Sequence, residues 1–198
     1  MKFIFFDTET TGLPTQRNIS ALQSSNVWPD LVSICWMVFE DRELIKTEHH
    51  IIKPNGWVIP DDVIKIHNIT NEIAERDGKP LDEILSLFKN DIEDAKYIIA
   101  HNMEFDRNVL FHAYKWRLKI DPKTFWKSNV EFCSQMKATE EMKIPSQYPT
   151  KNDPYKRISL ALLYEDTFKQ KAPPNAHDAK RDTDVLQQIV WKRWNLIG

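Results

Sequence analysis

The amino terminus constrains the fold most, because an apolar segment there runs directly into two acids. Phe3-Ile4-Phe5-Phe6 precedes Asp7 and Glu9, and Thr10-Thr11-Gly12 predicts a turn. Consecutive apolar residues predict a strand covered on both faces, in the centre of a sheet. Because side chains alternate along a strand, Asp7 and Glu9 are expected on one face, where two buried carboxylates repel each other. A bound cation would relieve that repulsion, and a solvated acid pair at a strand end is the alternative.

The composition is that of a globular protein without a membrane segment. The 198 residues suit one domain, expected to span 1–198, and contain 41% hydrophobic and 28% charged residues. No apolar run approaches the about 20 residues of a membrane span. Met1-Lys2 leads straight into the strand, which leaves no room for a signal peptide and predicts a cytoplasmic protein. Cys35 and Cys133, far apart in apolar stretches, are expected to be buried free thiols. The net charge of −2 argues against bulk electrostatic capture of nucleic acid but leaves a local groove open.

Strands precede an alternation of helices and strands along the chain. Two strands joined by a tight turn are expected over residues 31–40 and 44–52, and Thr70 is expected to cap a short helix. The later pattern predicts helices and strands in this order: helix 81–92, strand 97–100, helix 104–116, strand 130–133, helices 135–142 and 159–164, and the longest helix, 178–196. This order predicts an α/β sheet with helices packed on it.

Two further acids, Asp106 and Asp182, are predicted on the apolar faces of helices. Each stands three, four and seven residues before apolar residues of its own helix, which are Val109, Leu110 and Ala113 for the first and Val185, Leu186 and Ile189 for the second. Either acid alone could sit in a first helical turn because the helix dipole favours it there. Both together predict two carboxylates that point towards the sheet.

Four converging carboxylates, without a Cys/His set at zinc spacing, indicate a site for hard cations such as Mg²⁺ or Mn²⁺. A pair of such ions supports in-line phosphoryl displacement, in which one ion activates water and the other stabilises the leaving oxygen. His177, five residues before Asp182, is a candidate general base with an ordinary pKa of about 6.5. A helix cap or surface residue is the alternative for this histidine.

Three segments, in order, resemble the motifs of the DEDDh (DnaQ-like) 3′→5′ exonucleases, a family typified by the proofreading epsilon subunit of bacterial DNA polymerase III. They are Asp7-Thr8-Glu9-Thr10-Thr11-Gly12, His101-Asn102-Met103-Glu104-Phe105-Asp106 and His177-Asp178-Ala179-Lys180-Arg181-Asp182. Ile66-His67-Asn68-Ile69-Thr70 is similar to a His-Gly-Ile-Thr segment of the family, with Asn68 in place of glycine. The resemblance extends from Phe3 to Ile189.

The resemblance implies an RNase H-like fold, a mixed five-stranded sheet flanked by helices. It implies that Asp7, Glu9 and Asp182 hold one of two Mg²⁺ or Mn²⁺ ions. Asp7 would bridge to the second ion, and Asp106 would support that ion directly or through water. His177 would deprotonate the attacking water, and nucleoside 5′-monophosphates would leave a single-stranded 3′ end of DNA, with RNA left open.

The resemblance also implies contacts with the terminal nucleotides. The residues expected to make them are Thr8, through its backbone, and Leu13, His67, Asn102 and Phe105. Phe105 also belongs to an apolar helical stripe, so a place in the core is equally open for it.

A catalytically silent nucleic-acid-binding module on the same fold is the alternative to an enzyme. Such a module would be expected to have lost an acid or the histidine, and none is missing. A proofreading subunit of a polymerase is a further alternative, although the chain end at Gly198, soon after the last helix, favours a free-standing enzyme. A polymerase partner and a homodimer both stay open.

Overall fold

A computed structural model describes residues 1–127, 129–151 and 153–196. The chain end at Gly198, on which the expectation of a free-standing enzyme depends, lies outside these ranges. The strands are β1 (Lys2–Thr10), β2 (Leu31–Glu40), β3 (Glu43–Ile51), β4 (Tyr97–Ala100) and β5 (Val130–Cys133). The α-helices are α1 (Asp61–His67), α2 (Asn71–Asp77), α3 (Leu81–Ile92), α4 (Met103–His112), α5 (Ser134–Met142), α6 (Leu160–Phe168) and α7 (Ala179–Arg193).

The five strands form one mixed sheet with β1 in the centre, as the apolar amino terminus predicts. The strand order is β3-β2-β1-β4-β5; β2 is antiparallel to β1 and β3, whereas β4 is parallel to β1 and β5. The carboxyl ends of β1, β4 and β5 therefore meet at one edge of the sheet. The segments that follow β1 and β4 contain the first two acidic motifs, so the topology brings these motifs together.

Alternate side chains of β1 enter two different apolar clusters, one on each face of the sheet. Phe3 and Phe5 pack with Leu186 and Val190 of α7. On the opposite face, strand residues that include Ile4, Phe6 and Trp36 pack with Phe88 of α3, with Val109 of α4 and with the segment that follows α4. Burial of both faces explains why the first strand is apolar at consecutive positions.

The helix predicted over 104–116 changes its hydrogen-bonding pattern within that range. It is α-helical over Met103–His112 and continues as a π-helical turn over Ala113–Arg117. The apolar spacing of three and four residues predicted the face of this helix. It does not predict a π-helical turn, which has one residue more than an α-helical turn.

The helix α1 is missed by the periodicity analysis. It begins after Pro60, has only seven residues and is mostly exposed, so it lacks the apolar stripe that identifies longer helices. It ends at Asn68, which has φ 61° and ψ 13°. Asparagine tolerates this left-handed conformation better than most residues, which explains how it replaces the family's glycine.

The cap of α2 agrees with the sequence prediction, whereas one of the two cysteines does not. Thr70 caps α2, as predicted, by accepting a hydrogen bond from Ile73 N–H at 3.2 Å. Both cysteines are free thiols, but only Cys35 is buried; the expectation that Cys133 is buried is wrong, because β5 is an edge strand and leaves it half-buried. Within the described ranges, no helix has the length and apolarity needed to cross a membrane.

Candidate active site

Three acids from two elements meet at the carboxyl end of β1. One carboxylate oxygen each from Asp7, Glu9 and Asp182 lies within 4.8 Å of the other two. Asp7 and Glu9 share a face of β1, and Asp182 lies in the first turn of α7, which packs on that face. Glu9 and Asp182 are each only 9% exposed. Strand alternation and helix periodicity therefore predicted this convergence correctly.

Asp106 approaches the cluster from the first turn of α4. It is 2% exposed, and its Oδ1 accepts hydrogen bonds from the Thr8 amide at 3.1 Å and the Thr8 hydroxyl at 2.7 Å. Both donors of Thr8 are therefore directed at Asp106. This contact fixes Asp106 of α4 against β1 at Thr8, the residue that follows Asp7.

Burial and mutual repulsion raise the pKa values of these acids. Desolvation by burial, followed by the charges of Asp106, Glu9 and Asp182, raises the pKa of Asp7 well above its ordinary value. Burial, and then the charges of Asp182 and Asp106, raises the pKa of Glu9 to about 8. Burial raises the pKa of Asp106 to about 7, although the hydrogen bonds from Thr8 oppose the increase. Without a cation, the cluster therefore retains protons near neutral pH.

The donor chemistry fits a divalent cation with a preference for oxygen. The three grouped acids offer only carboxylate oxygens, and they are mostly buried, so a cation would replace protons that the repulsion otherwise retains. Asp106 adds a fourth carboxylate beside them. Among the residues that the structure describes, no other set of three potential metal ligands comes together in this way.

His177 lies on the loop that enters α7, with its side chain exposed. Its backbone has φ 64°, in the left-handed region, and its amide donates a hydrogen bond to Asp182 Oδ2 at 2.9 Å. Asp178, the next residue, caps α7 by accepting from Arg181 N–H at 2.8 Å. The predicted place of His177, just before the helix, is confirmed, whereas its amide bond to Asp182 was not predicted. Its role as a base stays a prediction.

The residues predicted to contact nucleotides have different surroundings. Leu13 follows the turn after β1 and is 68% exposed, whereas Phe105 is half-buried, with its ring centroid 6.0 Å from that of Trp28. Asn102 has φ 76° and precedes α4, where its carbonyl accepts from Phe105 N–H at 2.8 Å. Leu13 is thus free to contact a ligand, and Phe105 contributes partly to the core.

His67, the remaining residue of this set, ends α1 and is buried. Its Nδ1 accepts a hydrogen bond from Ile69 N–H at 3.1 Å, which assigns the proton to Nε2. Burial lowers the pKa of His67, although the backbone groups of Thr10 and of His67 itself oppose the change. His67 is thus near Thr10, the last residue of β1, and its contact with nucleotides stays a prediction.

Sequence reasoning missed two features of the site and one structural residue. It did not predict that Thr8 holds Asp106, or that the Arg181 guanidinium contacts Asp182 Oδ1. His101, which begins the second motif, is structural: it bonds Ser134 Oγ at 2.9 Å and the Ile158 carbonyl at 3.0 Å, and burial lowers its pKa to about 4. Thr8, Arg181 and His101 all lie within the three sequence motifs. A motif does not distinguish a residue that binds the metal from one that holds another residue in place.

A mixed five-stranded sheet with acids from β1, α4 and α7 at one edge defines a nuclease of the RNase H-like class. A model of the RNase_T exonuclease family matches residues 4–189. The chain belongs to this exonuclease family, and its motifs are those of the DEDDh type of 3′→5′ exonuclease.

Two curated relatives are DNA polymerase III proteins. DNA polymerase III PolC-type of Mycoplasmopsis pulmonis is 26% identical over 191 residues, which are 95% of this chain and 11% of that protein. DNA polymerase III subunit epsilon of Pasteurella multocida is 28% identical over 189 residues, which are 94% of this chain and 65% of that protein. The chain thus spans between about a tenth and two thirds of these relatives.

Solved structures of exonuclease I share the fold. E. coli exonuclease I in complex with a dT13 oligonucleotide superimposes with a TM-score of 0.69 at 18% identity, over 96% of this chain and 40% of that chain. Exonuclease I from Methylocaldum szegediense gives a TM-score of 0.69 at 16% identity, over 97% of this chain and 40% of that chain. These similarities confirm the predicted RNase H-like architecture.

Proposed function

We propose that this protein is a metal-dependent 3′→5′ exonuclease that shortens single-stranded DNA and releases nucleoside 5′-monophosphates. The observation that carries this proposal is the convergence of Asp7, Glu9 and Asp182, with Asp106 beside them, at one edge of an exonuclease-family sheet. The family model covers nearly all of that sheet and its helices, which supports a single exonuclease domain.

The four acids would hold two Mg²⁺ or Mn²⁺ ions. Asp7, Glu9 and Asp182 are close enough to share one ion, and the charge of Asp106 also acts on Asp7, which supports Asp7 as the ligand that both ions would share. Bound ions of this kind activate a water molecule and stabilise the leaving oxygen of an in-line displacement. Thr8 would keep the Asp106 carboxylate oriented towards the site, because its two donors leave that side chain little freedom.

His177 would accept the proton of the attacking water. Its exposed imidazole is on a loop residue whose amide is bound to Asp182, so the residue is held at the acid cluster while its ring remains accessible to water. A histidine whose ordinary pKa is about 6.5 is suited to this transfer near neutral pH. Bond cleavage at the 3′-terminal phosphodiester then leaves a shortened strand with a 3′-hydroxyl.

An unpaired 3′ end is the proposed substrate. Leu13 offers an exposed apolar side chain just after the turn that follows β1, and Phe105 precedes Asp106 on α4. The structural neighbour exonuclease I has been solved with dT13 and dA16 oligonucleotides, which supports single-stranded DNA as the substrate class. The polymerase III relatives support a polymerase as a candidate partner.

The test uses DNA and RNA oligonucleotides of one sequence, labelled at the 5′ end, with Mg²⁺, Mn²⁺ or EDTA. A ladder of products shortened stepwise from the 3′ end, formed only with metal and absent in Glu9→Gln, is expected. Labelled mononucleotide as the first product, or undiminished cleavage in EDTA, would contradict the proposal. Binding of the oligonucleotide without any shortening would favour the silent module.

A further inference from the structure

The loop between α6 and α7, which carries His177, makes few hydrogen bonds of its own. Lys169, Asn175 and His177 have φ of 57°, 61° and 64°, so the chain turns repeatedly through the left-handed region. Among the described residues, only two hydrogen bonds join positions 170–177 to the rest of the protein. One is the His177 amide bond to Asp182 Oδ2, and the other is donated by the Arg181 guanidinium to the Pro173 carbonyl.

Both bonds lead to the same carboxylate. Arg181 donates through Nη2 to Pro173 and through Nη1 to Asp182 Oδ1, so one planar group connects the loop to an acid of the cluster. A fork of this kind can hold two acceptors at once, which a lysine ammonium on a flexible stem does not reproduce. The Arg181 side chain is 14% exposed, so the connection lies largely away from solvent.

Arg181 also changes the charge of the cluster. Within the described chain, it forms the only ion pair with any of the four acids. A buried positive charge stabilises the metal-free carboxylates and opposes a divalent cation at the same place. Each oxygen of Asp182 accepts one hydrogen bond and retains a further lone pair, so the contact does not prevent coordination.

We propose that Arg181 is a positioning residue with two effects on the site. It holds the loop of His177 against Asp182, and its charge moderates the affinity of the acids for the metal. The first effect rests on the proposed function, because it concerns the base of that reaction. The second effect concerns cation binding alone and is measurable without turnover.

Two substitutions separate geometry from charge. Arg181→Gln removes the charge and the fork, and Arg181→Lys keeps the charge and removes the fork. Binding of Mn²⁺ is measured by isothermal titration calorimetry, and kcat and KM are measured with the p-nitrophenyl ester of thymidine 5′-monophosphate. This ester has no upstream strand, so its hydrolysis reports only on the site itself.

Arg181→Gln is expected to bind Mn²⁺ about three- to tenfold more tightly than wild type, because a repelling charge is gone. Its kcat is expected to fall by about 10- to 100-fold with KM little changed, since small misplacements of a catalytic group are costly. Arg181→Lys is expected to lose a similar factor in kcat while its Mn²⁺ affinity stays within about twofold of wild type. A merely structural arginine would weaken metal binding and turnover together.

Lys192→Gln is the matched control, because it removes the same charge from an exposed position about 16 Å along α7. Melting temperatures in EDTA establish that each variant is folded, and Arg181→Met, which is also uncharged, replaces Arg181→Gln in the Mn²⁺ titration if Arg181→Gln does not fold. Wild-type kcat in Arg181→Lys would overturn the positioning effect. Unchanged or weaker Mn²⁺ binding in Arg181→Gln would overturn the charge effect. An inactive wild type with the expected Mn²⁺ shift would reject the proposed function and retain the charge effect.

Discussion

At the scale of single residues, the four acids differ in what holds them in the metal-free protein. Asp106 accepts two hydrogen bonds from Thr8, and Asp182 accepts from the His177 amide and from Arg181. Among the described residues, no hydrogen-bond donor contacts the carboxylates of Asp7 or Glu9. These two acids therefore depend on protons or a cation for compensation, which explains why burial and repulsion raise their pKa values.

Asp7→Ala is predicted to abolish hydrolysis while the fold survives. The charges of the other three acids all act on Asp7, and Asp7 is the proposed ligand of both ions, so its loss removes a ligand from each. The same change removes a buried, repelling carboxylate, so the metal-free protein should be as stable as wild type or more stable. Ester hydrolysis with Mn²⁺ and melting temperature in EDTA provide the two measurements. Wild-type turnover in Asp7→Ala would refute the metal-site interpretation.

His177→Ala is predicted to lose about 10²- to 10⁴-fold in kcat, the usual contribution of a general base. Mn²⁺ affinity should change little, because the imidazole is not a proposed ligand. The left-handed backbone requires a second variant, since alanine is strained there, whereas asparagine tolerates it. His177→Asn should therefore lose as much rate as His177→Ala, with a melting temperature nearer wild type. A His177→Asn enzyme at wild-type rate would return His177 to a capping role.

The residues that the sequence predicted at this scale are those whose position follows from a repeat. Asp106 and Asp182 occupy positions of an apolar stripe, and Asp7 and Glu9 lie on the same face of β1 as Phe3 and Phe5. The contact of Arg181 with Pro173 depends on the path of an irregular loop. No periodicity describes such a path, so the contact is found only in the structure.

At the scale of elements, the spacing of apolar residues predicted the long strands and helices. The short helix α1 and the π-helical turn depend instead on individual residues and on local backbone geometry. The strand β1 and the helix α4 lie with the predicted faces towards the sheet. The predicted stripe of α7 is divided: Leu186 packs on the sheet, whereas Val185 and Ile189 pack with residues that include Ala138 of α5 and Leu163 of α6. The short helix α1 depends instead on Pro60 at its start and on a left-handed Asn68 at its end. The π-helical turn after α4 inserts one residue into a helical repeat, which a pattern of apolar residues tolerates without a visible signal.

The turn after β1 and the start of α4 are predicted to select unpaired 3′ ends. A paired terminus must unstack its last nucleotide to reach acids at a sheet edge, so a single strand should be degraded faster than a blunt duplex of the same sequence. Leu13→Ala should raise KM several-fold for the single strand and leave stability unchanged, because Leu13 is exposed. Phe105→Ala should lower both the affinity for the single strand and the stability of the protein. Base stacking contributes about 1–3 kcal/mol to binding, and the ring also packs near Trp28.

Steady-state kinetics on both substrates and thermal melting make this comparison. Val58→Ala is a suitable control because Val58 is also an exposed apolar residue, outside the proposed site. Equal wild-type rates on the single strand and the blunt duplex would contradict the preference. Loss of stability without loss of affinity in Phe105→Ala would assign that ring to the core alone.

At the scale of the whole molecule, the topology makes the site out of distant segments. The three motifs lie near the start, middle and end of the chain, and the parallel arrangement of β1 and β4 places two of them at the same edge. The helix α7 packs on β1 and β2 and brings the third. The order of strands and helices predicted an α/β sheet, whereas the strand order came only with the family resemblance, because periodicity does not specify which strands pair.

The charge state of this assembled cluster predicts how the stability of the metal-free protein depends on pH. Glu9 and Asp106 have pKa values raised by burial to about 8 and about 7, and that of Asp7 is also raised. The folded state therefore binds protons that the unfolded state has released, so these acids make stability fall as pH rises towards the folded pKa values.

Buried histidines act in the opposite sense but in a lower range. Burial lowers the pKa values of His49, His67, His101 and His112, so the unfolded state binds more protons below the ordinary histidine pKa of about 6.5. The histidines therefore make the free energy of unfolding rise with pH. The rise ends once the histidines of the unfolded state are neutral. Above about pH 6.5 the acids alone remain.

The free energy of unfolding in EDTA is therefore predicted to fall by at least about 2 kcal/mol between about pH 6.5 and 8, since each extra proton that the folded state binds corresponds to about 1.4 kcal/mol per pH unit. Saturating Mn²⁺ should remove this decline, because the cation replaces the protons and binds more tightly as they leave. Urea unfolding at several pH values, with and without Mn²⁺, measures both curves. Asp7→Ala should flatten the metal-free curve, because it removes one raised acid and part of the repulsion on Glu9. A metal-free stability that stays constant or increases over this range would show that the acids are not protonated in the folded state.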